Sequence, residues 1–207
     1  MNNTITQKLL NEKSLSYEDY IKLTEEIVAG KSEDEIYKNE KMLNYTKDNL
    51  ARMNNITSML NIDKRLYNEL QQMQEKQIWV CITEPWCGDA SQIVPVLYLI
   101  ASCSANIEFR ILLRDANEEV MNNYLTNGGK SIPKLIILNS DTLEEIDRWG
   151  PRPAVVQKIV QEQKDDTSIS SGDKVRMIHS WYNENQSKDL QEEFITIVKA
   201  WKTNTNA

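Results

Sequence analysis

Apolar positions recur at helical spacing through the first third of the chain. Tyr17, Tyr20, Ile21, Thr24, Ile27 and Val28 fall on one helix face. Ser16 with Asp19 reads as the capping box of that helix and Gly30 as its stop signal. A second box, Ser32 with Glu35, opens a longer helix whose stripe is Ile36, Leu43, Leu50, Met53, Thr57 and Leu60. Residues 63–73 predict a third helix with Leu66, Leu70 and Met73 on one face.

The period then changes. Residues 78–83, Ile-Trp-Val-Cys-Ile-Thr, are rich in β-branched and aromatic types and bounded by Pro85, which predicts a buried strand. A helix is expected over 87–102, a strand over 107–113, and a short helix over 117–125 that ends in Asn127-Gly128-Gly129. Strands at 135–138 and 143–149 flank Asn139-Ser140-Asp141, a hairpin turn, and residues 153–163 form a helix with proline at its first turn. Strands alternating with helices imply parallel pairing, and the final adjacent pair implies an antiparallel hairpin. The fold class is therefore α/β, a mixed central sheet with helices on both faces and added helices at each end. Residues 164–172 are polar and read as a linker or exposed loop. Two narrow apolar stripes follow, Val175, Ile178, Trp181, Tyr182 and then Leu190, Phe194, Ile197, Val198, Trp201; each needs a surface to pack on.

Composition narrows the function classes. The 207 residues carry a net charge of −7, which disfavours a phosphate backbone as partner, so no nucleic acid is expected. No apolar run reaches the roughly 20 residues that span a bilayer, and residues 1–13 lack the apolar region of a secretion signal. The expected compartment is the cytoplasm, with no membrane partner. Three cysteines, Cys81, Cys87 and Cys103, are too few and too far apart for a disulfide framework or a zinc knuckle, and there is one histidine, His179. No metal and no cofactor are expected.

The stretch that carries chemistry is Glu84-Pro85-Trp86-Cys87-Gly88-Asp89-Ala90. It lies between a predicted strand and a predicted helix, which sets Cys87 at a helix N-terminus. Free N–H groups and the helix dipole stabilise a thiolate there, and a thiolate is the nucleophile of disulfide exchange. The charge of Asp89 opposes this if its carboxylate turns toward the sulfur, and opposes it less if it accepts helix N–H groups.

At these residues the sequence resembles the thioredoxin superfamily, which carries Trp-Cys-Gly-Pro-Cys at this junction. Pro95, at the position of a helix-kinking proline, Ile132-Pro133, at the position of a cis-proline before a strand, and Gly150, at a glycine beside the binding groove, extend the resemblance over about 77–163. Within the superfamily it looks most like bacterial thioredoxin-like proteins with WCGDA and an N-terminal helical extension. The organisation expected is an N-terminal helical extension over 1–76, a thioredoxin-like core over 77–163 and a C-terminal helical extension over 164–207 packed on the core.

Two departures from the pattern bear on activity. Ala90 stands where the second cysteine would be, and Cys81 stands at the position of the family's buried aspartate. The resemblance thus implies a single active thiol, Cys87, in a groove lined by Trp86, Gly88, Asp89, Ile132 and Pro133. It would form mixed disulfides with protein or small-molecule thiols and disulfides, with an external thiol resolving the adduct. The alternative is a redox-inactive binding module built on the same fold. A peroxiredoxin reading fails because Glu84 stands three residues before Cys87 where threonine is needed, and the CGFS signature of monothiol glutaredoxins is absent.

Overall fold

The computed structural model describes residues 5–164 and 166–204. All seven residues of β1 (Gln77–Thr83) are buried, and β3 (Lys134–Asn139) is buried along all but its last residue. Strands covered on both faces belong in the interior of a sheet, and the order is β2-β1-β3-β4, with β2 (Ile107–Leu113) and β4 (Glu145–Trp149) at the edges. β1 pairs parallel with β2 from Gln77↔Ile107 to Thr83↔Leu113, joined by α5 (Gly88–Ala101). β3 runs antiparallel to both β1 and β4, and the short α6 (Glu118–Met121) precedes it. This is the mixed α/β sheet that the order of periodicities predicts.

Among the helices before the sheet are α1 (Gln7–Lys13), α2 (Tyr17–Val28) and α3 (Glu40–Met59). Ser16 caps α2 by accepting the Asp19 N–H, and Tyr17, Tyr20, Thr24 and Ile27 form its buried face. The Tyr17 hydroxyl and Thr57 Oγ1 of α3 lie 2.8 Å apart in a hydrogen bond. Leu15 exchanges both backbone hydrogen bonds with Ile111, at 2.8 and 2.9 Å, which satisfies part of the free edge of β2. α3 packs along α5, and α5 packs on β1 and β2.

Three expectations need correction. The long helix does not open at Ser32. Ser32 Oγ accepts the Asp34 N–H in a turn, and Asp34 caps only a short three-ten helix, Glu35–Lys38. Asn39 then accepts the N–H groups of Lys41 and Met42 and starts α3 afresh, because its amide oxygen competes better for those donors than a continuing helix would. β4 begins at Glu145 rather than 143, since Asn139 Oδ1 accepts from Asp141 and Thr142 and holds the turn through Leu143, whose φ is +58°. α6 stops at Met121, well short of 125.

The chain divides into two compact units, one of residues 5–59 and 73–151 and one of 60–72 and 152–204. The second unit contains α4 (Lys64–Gln71), α7 (Ala154–Gln163), α8 (Ser171–Asn185) and α9 (Lys188–Asn204). Leu66 and Leu70 of α4 and Leu190, Phe194 and Val198 of α9 are buried, and α4 packs on α9. Gln191 accepts the Asp63 N–H at 2.6 Å, Arg65 pairs with Glu192, and Glu193 accepts the Ala154 N–H at 2.6 Å at the start of α7. Val175, expected in a packed stripe, is 40% exposed on α8, while Tyr182 of the same stripe is buried.

Candidate functional site: the loop between β1 and α5

β1 ends at Thr83, and Pro85 cannot donate to a further ladder, so the chain turns. The turn closes when the Cys87 N–H donates to the Glu84 carbonyl at 3.1 Å. Cys87 is then the N-cap of α5 in extended conformation, and its carbonyl accepts the Ser91 N–H at 3.2 Å. The side chain therefore stands at the positive end of a fourteen-residue helix. The residue is 8% exposed.

The facing wall comes from the approach to β3. The Ile132–Pro133 and Gly150–Pro151 peptides are both cis. The Cys87 thiol donates to the Ile132 carbonyl at 3.5 Å, which joins the two walls. Gly150 makes that approach possible. Its φ is +104°, and a Cβ there would lie 2.5 Å from the Pro133 carbonyl oxygen.

Helices before the sheet reach into this loop. Asn49 of α3 is buried and donates to the Pro85 carbonyl at 3.0 Å. Arg52 donates to Asn49 Oδ1 at 3.0 Å and to Ser91 Oγ at 2.9 Å, and Ser91 in turn donates to the Gly88 carbonyl at 2.7 Å. Tyr45, half-buried on α3, lies within electrostatic reach of Arg52, Asp89 and Cys87. Tyr20 of α2 is fully buried, and Cys87, Cys81 and Glu84 all act on its hydroxyl.

On the other flank, Glu84 is 6% exposed, and burial pushes its carboxyl up to about 7. It accepts the Asp115 N–H at 2.8 Å. Arg114 stacks over the Trp86 ring at 4.7 Å and pairs with Asp115 at 2.7 Å. The three cysteines are free thiols. Burial pushes the Cys81 thiol far above its ordinary range and also raises that of Cys103. Cys81 is wholly enclosed in β1, so neither it nor Cys103 shares the helix-terminus position of Cys87. Among the described residues no cluster of histidine, cysteine and carboxylate side chains is arranged to hold a metal ion, and no helix is long and apolar enough to cross a membrane.

A family model described as thioredoxin matches residues 36–166, more than half the chain. The chain belongs to the thioredoxin family. The match begins in the three-ten helix ahead of α3, some forty residues before β1, so it takes in helices as well as the sheet. Among solved structures, this thioredoxin-family chain is similar to a Pseudomonas aeruginosa protein of unknown function, at 12% identity and a TM-score of 0.58, covering 95% of this chain and 99% of the other. It is also similar to an HIV epitope scaffold, at 15% identity and a TM-score of 0.56, covering 90% of this chain and 99% of that one. At these identities the likeness is one of fold: a thioredoxin fold with extra helices. No curated protein matches the sequence.

The structure brings Cys87 and Ile132 into contact and sets Pro133 next to Ile132. Trp86, Gly88 and Asp89 flank Cys87 in the same loop, each half-buried, and Ala90 is buried on the first turn of α5. Sequence reasoning missed Asn49 and Arg52, placed Tyr20 only in a packing stripe, and gave Glu84 no role of its own within the motif stretch. Tyr20 and Asn49 fall within helical stretches, where spacing reads them as packing or as polar face. Glu84, a carboxylate wedged between a buried strand and a proline, was the one with a visible signal.

Proposed function

We propose that this thioredoxin-family protein is a single-thiol exchange protein, in which Cys87 forms mixed disulfides with small-molecule or protein disulfides and an external thiol releases them. The observation that carries the reading is the position of Cys87: N-cap of α5, its sulfur 3.5 Å from the Ile132 carbonyl beside Pro133, with Ala90 where a resolving thiol would stand. A helix N-terminus stabilises the thiolate, and without a second thiol the adduct persists until an outside thiol attacks it. Trp86, Gly88, Asp89, Ile132 and Pro133 line the groove in this reading. Three free thiols suit the reducing cytoplasm, and the WCGDA stretch with its preceding helices suits a bacterial subgroup of the family.

The 8% exposure of Cys87 favours a second reading, a redox-inactive module that binds partners through the same groove. One experiment separates the two. Native protein is incubated with a small aromatic disulfide at neutral pH, and adducts are mapped by mass spectrometry. The exchange reading expects an adduct at Cys87 ahead of Cys103, with none at Cys81, and its release by added thiol. Modification of Cys87 only after unfolding would refute exchange and leave the binding module.

A further inference from the structure

Arg52 of α3 carries a half-buried guanidinium that forms no ion pair among the described residues. Burial works against its charge, and a methionine would cover the same stretch of α5 without that cost. Its hydrogen bonds say what it is for. Both leave from one nitrogen, Nη1, and they run in different directions: to Asn49 Oδ1 at 3.0 Å and to Ser91 Oγ at 2.9 Å.

The two arms end on opposite sides of Cys87. Because Asn49 Oδ1 accepts from Arg52, its amide is turned so that Nδ2 donates to the Pro85 carbonyl at 3.0 Å, two residues before the cysteine. Because Ser91 Oγ accepts from Arg52, its own hydrogen goes to the Gly88 carbonyl at 2.7 Å, one residue after the cysteine. The Ser91 N–H holds the Cys87 carbonyl itself at 3.2 Å. Asn49 and Ser91 are each 1% exposed, so water does not stand in for the guanidinium at either. One nitrogen on α3 thus ties both flanks of the cysteine turn.

We propose that Arg52 is a positioning residue for Cys87: through Asn49 and Ser91 it holds the cysteine turn against the first turn of α5, so that the sulfur keeps its place at the helix N-terminus, where free N–H groups stabilise a thiolate. The proposal rests on the exchange reading for its use, since the thiolate is the form that attacks a disulfide, though not for its measurement. Arg52 acts through the two side chains it bonds and has no part in the exchange of sulfur bonds. The titratable groups around Cys87 are Tyr20 of α2, Tyr45 of α3, Cys81 of β1 and Asp89 of α5, with Asp48 of α3 and Glu84 of the loop beyond them. The variants below leave all of these unchanged.

The test is the protonation midpoint of Cys87, followed by NMR of its isotopically labelled Cβ, in wild type, Arg52→Met, Ser91→Ala and Asn49→Ala, with melting temperatures measured alongside. A sulfur that drifts from the helix terminus loses part of that stabilisation, so the midpoint should rise by about half a pH unit in Arg52→Met, a roughly threefold weaker ionisation. Ser91→Ala and Asn49→Ala each cut one arm and keep the guanidinium, and each should raise the midpoint by part of that amount. A midpoint unchanged in Arg52→Met, with the melting temperature lowered, would overturn the proposal and leave Arg52 as structural support only. A rise in Arg52→Met with none in Ser91→Ala or Asn49→Ala would overturn it too, because the charge would then be acting through space rather than through the bonded side chains. If Arg52→Met does not fold, the two alanine variants decide in the same way. NMR reads the proton whether or not Cys87 exchanges disulfides, so this result and the adduct experiment fail independently.

Discussion

Replacing Gly150 by alanine should damage both stability and the site. Two separate costs can be worked out. The φ of +104° lies outside the regions open to residues with a Cβ, and holding such a conformation costs about 1–3 kcal/mol. The added Cβ would also lie 2.5 Å from the Pro133 carbonyl oxygen, with the Pro133 carbonyl carbon at 3.5 Å and Lys134 Cα at 3.6 Å. All three are backbone atoms at the edge of a central strand, so no side chain can swing aside. Overpacking of this kind costs about 1–3 kcal/mol more. The smaller entropy of the unfolded alanine chain returns only about 0.4–1 kcal/mol. The net loss is roughly 2–5 kcal/mol, a large part of a typical domain's 5–15 kcal/mol.

Gly128 provides the control. Its φ is +78°, but a Cβ there meets nothing within 4 Å, so Gly128→Ala carries the backbone cost alone. Urea unfolding of both variants separates the contact from the conformation. Because the chain around Pro133 must give way, the Cys87–Ile132 contact should loosen in Gly150→Ala and the rate of adduct formation at Cys87 should change. Gly128→Ala should leave that rate alone. Equal destabilisation by the two substitutions would refute the argument that Gly150 is fixed by its approach to Pro133.

Two further outcomes follow from the cysteine loop. Burial raises the Glu84 carboxyl from 4.5 to about 7, so its neutral form is the one the fold prefers; that stability is fully present below pH 4.5 and is lost as pH rises through about 7. The span corresponds to about 3 kcal/mol, so Glu84→Gln should match wild type in melting temperature near pH 4.5 and exceed it at pH 8; parallel pH profiles would contradict this. Asn49→Ala leaves the buried Pro85 carbonyl without its donor and should cost about 1–3 kcal/mol in urea unfolding. Asn49→Asp, which sets a carboxylate against that carbonyl, should cost more than alanine does.

Much of the sheet was legible because its strands are extreme. A run such as Ile-Trp-Val-Cys-Ile-Thr, closed by a proline, has few places to go except the middle of a sheet, and β1 is buried along its whole length. The cysteine loop was legible for the same local reason, a motif at a strand–helix junction. What stayed hidden depends on competition or on distance. Ser32 and Asn39 both offer a cap for the same helix, and spacing alone does not rank them. Leu143 looks like the start of a strand until Asn139 claims the two N–H groups that hold the turn. The pairing of α4 with α9 joins residues more than a hundred positions apart, and neither stripe names its partner. Asn49 is the instructive miss: it falls among the polar residues of a helical stretch, so periodicity says nothing of the Pro85 carbonyl it bonds.

That miss changes how the helices before the sheet are understood. A protective layer over the sheet would need only apolar surface such as Ile27 and a backbone bridge to the edge such as Leu15 makes with Ile111. These helices instead deliver polar groups to one loop. α3 contributes the Asn49 amide to Pro85 and the Arg52 guanidinium to Ser91. Each is buried or half-buried, and each would carry a desolvation cost without a compensating role. The loop has in turn become dependent on them, since the Pro85 carbonyl has its donor in Asn49. A sheet and α5 alone would present Cys87 at a helix terminus with the Pro85 carbonyl unsatisfied. The helices are therefore part of the site: α3 fixes the loop from one side, while Gly150 and Pro133 fix it from the other.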